Sequence, residues 1–214
     1  MNILFFDTET NGLPLKRNAP ETLVENWPRA VSIAWRLCEL TPNDSSMKIL
    51  SEQYWIVKPY EGMSWPEEAV KIHGIPREKA LQEGTPVAEI LQTFRLDAQK
   101  VNAIVAHNMA FDRPVMLCEG IRAGFPVDWW PVNQFCTMDS TKGLCKLPSK
   151  FGRPSDPYKY PRLSELHTFL FGNAGDFAFH CAQDDVRCLV KCFEELHFRR
   201  LVPVGGWASD EPSA

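Results

Sequence analysis

The chain has 214 residues, enough for one domain with a sizeable core, and its 44% hydrophobic and 23% charged residues are ordinary for a globular protein. A formal net charge of −4 excludes the global basic surface of a DNA-coating protein, so any nucleic-acid contact must be local or carried by metal ions. No apolar run approaches the roughly 20 residues of a membrane span. The start MNILFFDTET lacks the basic region and small-residue cleavage site of a signal peptide, so a cytoplasmic protein is the expectation. Seven cysteines, an odd number with no CxxC pair, fit a reducing compartment better than a disulfide framework. Cys188, Cys192 and His197 have a spacing compatible with zinc, although cysteine is more often buried as a small hydrophobe.

In chain order, residues 2–6 read as a short buried strand ended by the turn-like TNGLP. Residues 30–40 (AVSIAWRLCEL) and 48–57 (KILSEQYWIV) read as two more strands. The turn cluster TPNDSS joins them, which makes the first three strands a meander. A helical stretch over 66–72 is broken by His73-Gly74, and a short one covers 76–82. Residues 86–100 make a firmer helix, with Val87, Ile90, Leu91 and Phe94 on one face and a proline at its start. A buried strand NAIVA (102–106), a helix over 112–123 and a strand over 134–138 follow. The irregular GFPVDWWPVN before that strand offers Trp129 and Trp130 as the most suggestive base-stacking pair among seven tryptophans. Residues 142–160 read as a loop, punctuated by Pro148, Pro154 and Pro157. Residues 161–170 are helical. The last helix spans 182–200, with Val186, Leu189, Val190, Phe193 and Leu196 on its inner face. Residues 203–214 are expected to form a disordered tail, which leaves 1–202 as one domain. A meander followed by alternating helices and strands implies an α/β fold, one mixed sheet flanked by helices.

Three acidic sites punctuate this frame. Asp7 and Glu9 are two residues apart at the end of a buried strand, so both side chains point to one face. In AHNMAFDRP a second buried strand runs into a helix. Because proline is best tolerated in a helix's first turn, Pro114 places Asp112 near the helix start, where a carboxylate also serves as an ordinary cap. In HCAQDDVRC, His180 lies just ahead of the last helix and Asp185 early within it.

In order, FDTETNGL, IHGI, HNMAFD and HCAQDD resemble the motifs of the DnaQ-like 3′-to-5′ exonucleases, the histidine-bearing branch of the superfamily named for its four acids. The resemblance spans residues 2–198 and is nearest in FDTETNGLP and HNMAFDRP to the DNA polymerase III epsilon-type members. It implies a ribonuclease H-like fold with a mixed five-stranded sheet. It also implies that Asp7, Glu9, Asp112 and Asp185 are ligands for two divalent cations, magnesium or manganese, and that His180 is the general base. By the same resemblance, the family's spacing from the histidine favours Asp185 over Asp184, which is expected to be a solvated neighbour. By the same resemblance, Thr10, Asn11, Gly12 and Leu13 lie near the terminal nucleotide, with a plain turn as the alternative. His73 and Asn108 line the site or brace it, and His107 braces it.

Converging carboxylates repel one another unless cations intervene, and hard oxygen ligands suit magnesium and manganese. The reaction this implies is hydrolysis of the terminal phosphodiester of a single-stranded 3′ end, releasing a nucleoside 5′-monophosphate. DNA is the preferred substrate. An RNA-trimming enzyme of the same family and an inactive nucleic-acid-binding module are the alternatives. The short segment after the last helix speaks against a stable polymerase association; membrane binding is not expected, and oligomeric state is left open. Lys142, Lys146, Lys150, Arg153, Lys159 and Arg162, set against Asp156 alone, are expected to form a basic loop that either meets phosphates or is simply solvated.

Overall fold

In the computed structural model, residues 1–41 and 46–202 are described; the tail at 203–214, Trp207 and most of the TPNDSS turn lie outside them. Five strands form one sheet: β1 (Asn2–Thr10), β2 (Ala30–Glu39), β3 (Lys48–Ile56), β4 (Ala103–Ala106) and β5 (Gln134–Cys136), in the spatial order β3-β2-β1-β4-β5. β1, β2 and β3 are the expected antiparallel meander, and β4 and β5 add in parallel. The mixed five-stranded sheet is therefore the one the motifs imply. No helix among the described residues is long and apolar enough to cross a membrane.

β1 lies at the centre and is buried on both faces. Ile3 and Phe5 pack in one cluster with Val186, Leu189 and Phe193 of the last helix, α7 (Ala182–Phe198). The Phe5 and Phe193 rings meet edge to face with centroids 5.2 Å apart. Leu4 and Phe6 face the opposite way, into a cluster with α3 (Val87–Ala98) and α4 (Met109–Arg122). Alternation along one strand thus assigns α7 to one layer and α3 and α4 to the other. Glu67–His73 (α1) and Arg77–Glu83 (α2) follow β3. α1 stops where Gly74 takes the left-handed conformation, φ 69°, that glycine adopts without strain.

Several boundaries differ from expectation. β1 continues past Phe6 to Thr10 because β2 keeps pairing with it as far as Ala30. α4 starts three residues early, at Met109, after Asn108 turns the chain in the left-handed region (φ 73°). Pro114 therefore sits in the second turn, and Ala110, whose carbonyl loses a helical partner, is exposed to water. β5 ends at Cys136, and Thr137–Cys145 form a helix, α5. The segment read as a loop then continues as a two-stranded hairpin, β6 (Pro148–Arg153) and β7 (Asp156–Tyr158), before α6 (Leu163–Phe171). Trp129 and Trp130 pack into the core around Phe94 and Phe6 and offer no stacking platform. Cys188 and Cys192 belong to α7 and are fully buried in the core cluster it forms with β1.

One buried ion pair steadies the segment beside the acids. Glu119 of α4 is 1% exposed and accepts from Arg29 Nε (2.7 Å), Arg29 Nη2 (2.8 Å) and the Ala30 amide (3.0 Å). Arg29 in turn clamps the TNGL turn: its amide donates to Asn11 Oδ1 and its carbonyl accepts from the Asn11 amide. Glu119→Ala leaves the half-buried Arg29 guanidinium and the buried Ala30 amide without their acceptor, so a loss of about 3 kcal/mol is expected in urea unfolding. A loss under about 1 kcal/mol would show that Arg29 finds another partner.

Candidate active site

β1 pairs with β4 only from Ile3 to Phe5, so the next residues of β1 leave β4 and open a notch at the end of the parallel strands. Asp7, Thr8 and Glu9 stand in that notch. Asp7 and Glu9 face the α7 side, where one oxygen each from Asp7, Glu9 and Asp185 lie within 4.8 Å of one another. Thr8 faces the α4 side and holds Asp112: the carboxylate's Oδ1 accepts from the Thr8 amide (3.0 Å) and the Thr8 hydroxyl (2.7 Å). Asp112 is therefore not a helix cap. It crosses to the strand, and its other oxygen is left for the cleft.

Asp185 is held by the residue expected to work beside it. The His180 amide donates to Asp185 Oδ2 (2.9 Å). That bond requires His180 to turn in the left-handed region, φ 70°, and leaves its ring exposed and without a hydrogen bond to any described residue. Asp184, expected as a solvated neighbour, is only partly solvated. It is half-buried, bonded to the Ala178 amide and paired with Arg187, and it lies outside the cleft.

Asp7, Glu9, Asp112, Asp185, His180 and Asn108 all line one cleft of about 600 Å³, with Arg162 as its single Lys or Arg side chain. Phe111, Met138 and Tyr160 also line it, and they continue with Asn108 into an adjoining groove that reaches Leu13 and Arg17. Those apolar walls escaped the reading of the motifs; Phe111 inside HNMAFD was the available signal. Leu13 is 80% exposed. Thr10 Oγ1 bonds the Gly12 carbonyl, and Asn11 and Gly12 line a separate hollow beside Arg29 and Tyr60. His73 is not among the cleft residues; it is buried, with Nδ1 accepting from the Ile75 amide. His107 also lines the cleft, and both of its ring nitrogens are taken up by hydrogen bonds. Its Nε2 donates to the Pro161 carbonyl (3.0 Å), so Nδ1 accepts from the Thr137 hydroxyl (2.9 Å). Burial pushes this imidazole down to about 4, so it stays neutral.

The acids of the cleft raise one another's hold on protons. Two unit charges 4.8 Å apart repel by about 3.5 kcal/mol at an effective dielectric of 20. Burial, and then the other acids, raise Asp7 well above the carboxylate range. Burial and then Asp185 and Asp112 push Glu9 up to about 8. Burial raises Asp112 to about 7 against the two Thr8 hydrogen bonds, and Asp185 to about 7 against the His180 amide. Clustered hard oxygens that bind protons this readily suit divalent cations such as magnesium or manganese, which would displace those protons.

A stability signature follows. The native state holds protons on these acids up to about pH 7–8, whereas an unfolded carboxyl releases its proton near pH 4. Metal-free stability should therefore fall as pH rises from about 4 to 8. Manganese should raise Tm more at pH 8 than at pH 6, because fewer protons compete with it. A manganese shift that is the same at both pH values would contradict this reading of the cleft.

No protein-family model and no curated protein sequence matches this chain. Solved structures do. Escherichia coli exonuclease I in a complex with single-stranded DNA and zinc ion superposes with a TM-score of 0.70 at 18% identity, over 94% of this chain and 41% of that one. The same enzyme with a dT13 oligonucleotide gives 0.70 at 18% identity, over 93% and 41%. Exonuclease I from Methylocaldum szegediense gives 0.69 at 19% identity, over 93% and 41%. At these identities the likeness is one of fold: the chain has a ribonuclease H-like fold in common with exonuclease I and spans about two fifths of the length of these proteins.

Proposed function

We propose that this chain is a metal-dependent 3′-to-5′ exonuclease acting on single-stranded DNA. The observation that carries the reading is the convergence of four carboxylates and one imidazole, unpartnered among the described residues, from β1, α4, α7 and the turn before α7, in one cleft. Asp7, Glu9, Asp112 and Asp185 would hold two divalent cations, Mg²⁺ or Mn²⁺, which when bound neutralise the phosphodiester and steady the attacking and leaving oxygens. The fold shared with DNA-bound exonuclease I supports the DNA reading.

In this proposal the chain's own residues do four things. His180, free to turn toward the cleft, takes the proton of the attacking water. The Thr8 and His180 amides aim Asp112 and Asp185, so the carboxylates need not reorganise during reaction. Phe111, Met138, Tyr160 and the exposed Leu13 give the terminal nucleotides an apolar lining, with Asn108 at the junction. Thr10, Asn11 and Gly12 shape the turn that presents Leu13, and His73 supports that side of the site from α1. Residues 1–202 form the exonuclease unit.

Chromatography of the digest tests the reaction. With manganese, single-stranded DNA should yield nucleoside 5′-monophosphates faster than RNA of the same sequence. Faster release from RNA would move the enzyme to the ribonuclease branch. Nucleoside 3′-monophosphates from either polymer would sink the mechanism.

A further inference from the structure

We propose that the β6–β7 hairpin is a second nucleic-acid contact, an arm that grips single-stranded DNA outside the catalytic cleft, with Phe151 stacking on an unpaired base and Lys150 and Arg153 meeting its phosphates. The ligand class rests on the nuclease reading above; the arm itself is a separate feature of the chain.

The argument begins with strand pairing. Pro148 pairs with Tyr158 and Arg153 with Asp156, so four residues, 149 to 152, stand opposite Pro157 alone. The excess must bulge, and a bulge re-aims its side chains. The Phe151 amide donates to Ser149 Oγ, which closes the bulge on itself. Gly152 lies against the partner backbone, where an added Cβ would come within 2.8 Å of the Pro157 carbonyl oxygen and 2.9 Å of its Cα. A side chain at position 152 would push the strands apart; glycine keeps them together and leaves Phe151 beside it in solvent. Phe151 is 94% exposed, the most exposed large hydrophobic among the described residues. A phenyl ring held out this way gains nothing from the core, but it has the face and the freedom that base stacking needs.

Charge points to the same ligand. Lys142 pairs with Asp156 and Lys159 with Glu165, which uses the nearby carboxylates. Lys146, Lys150 and Arg153 are exposed and have no ion pair with any described residue. In a chain of net charge −4, three uncompensated cations beside an exposed aromatic complement a polyanion with bases. The arm is also fixed to the cleft. Lys142 joins Asp156 of β7 at 2.7 Å and sits 4.5 Å from the centre of the Tyr160 ring, which lines the cleft and its adjoining groove. The Lys159 amide bonds the Leu147 carbonyl at the hairpin's base, and Pro161 and Arg162 then enter the cleft wall. A strand whose 3′ end reaches the acids can thus be held upstream by the arm.

The test uses the full chain, with calcium replacing manganese for binding. Anisotropy would measure a labelled thymidine dodecamer, and turnover with manganese would be followed on thymidine 5′-(p-nitrophenyl phosphate), which offers the cleft one nucleotide. Phe151→Ala should weaken the dodecamer about tenfold, within the range for one lost stack, and leave ester turnover within about twofold. Lys150→Ala with Arg153→Ala should lower the slope of log affinity against log salt by about 1.4. Unchanged dodecamer affinity in Phe151→Ala, with the ester still hydrolysed, would overturn the arm and leave the nuclease. An equal loss on both substrates would also overturn it, because the effect would then lie in the cleft. If wild type binds the dodecamer but hydrolyses neither substrate, and Phe151→Ala still weakens binding, the arm stands and the nuclease reading falls.

Discussion

Asp7→Asn should abolish nuclease activity while making the metal-free protein more stable. The amide keeps the shape of the side chain and cannot carry charge. Asp7 is raised by burial and by Asp112, Asp185 and Glu9, so its ionised form is disfavoured near neutral pH. Removing that charge relieves repulsion among the acids of the metal-free protein and should raise Tm above pH 7. The same change removes one of the three carboxylates that converge in the cleft, a metal ligand in the proposed function. A loss of about 4 kcal/mol in transition-state stabilisation, a thousandfold in rate, is the least expected. An ordinary structural acid would behave differently: its replacement lowers Tm or does nothing, and activity follows the folded fraction. A Tm that falls together with activity would assign Asp7 to the scaffold.

His180→Asn should lower kcat by about 10²–10⁴-fold, the usual contribution of a positioned general base. Asparagine is the informative replacement because His180 has φ 70°, a region asparagine tolerates better than alanine. The backbone amide that aims Asp185 is kept, so manganese affinity and Tm should change little. The ring makes no hydrogen bond to any described residue, so its removal breaks no side-chain contact of the fold. Near wild-type turnover in His180→Asn would mean that another group takes the proton. A large loss of manganese affinity would show that the substitution had disturbed Asp185.

Much of this arrangement is legible in the sequence because it rests on local rules. The two-residue spacing of Asp7 and Glu9 places both on one face of β1, and the same alternation sends Thr8 to the opposite layer, where it meets Asp112. The apolar stripe Val186, Leu189, Val190, Phe193 and Leu196 places α7 against the sheet, and Asp185 with it. What escaped the sequence was set by distant partners. β1 reaches Thr10 because β2 lies beside it, and nothing in TET says so. The proline rule set the start of α4 too late because Pro114 is tolerated where Ala110 meets water. The hairpin has no alternating pattern to read: its strands, PSKFGR and DPY, pair through backbone around a bulge and bury almost nothing. Trp129 and Trp130 looked available in an irregular segment, but Phe94 and Phe6 draw them into the core.

The most direct test of the central claim is digestion of a 5′-labelled single-stranded DNA by the purified chain, with manganese or with chelator, beside Asp7→Asn. The acid cleft predicts a ladder that shortens from the 3′ end only with manganese and is absent in the variant. Intact DNA with wild type and manganese, or an equal ladder from Asp7→Asn, would contradict it.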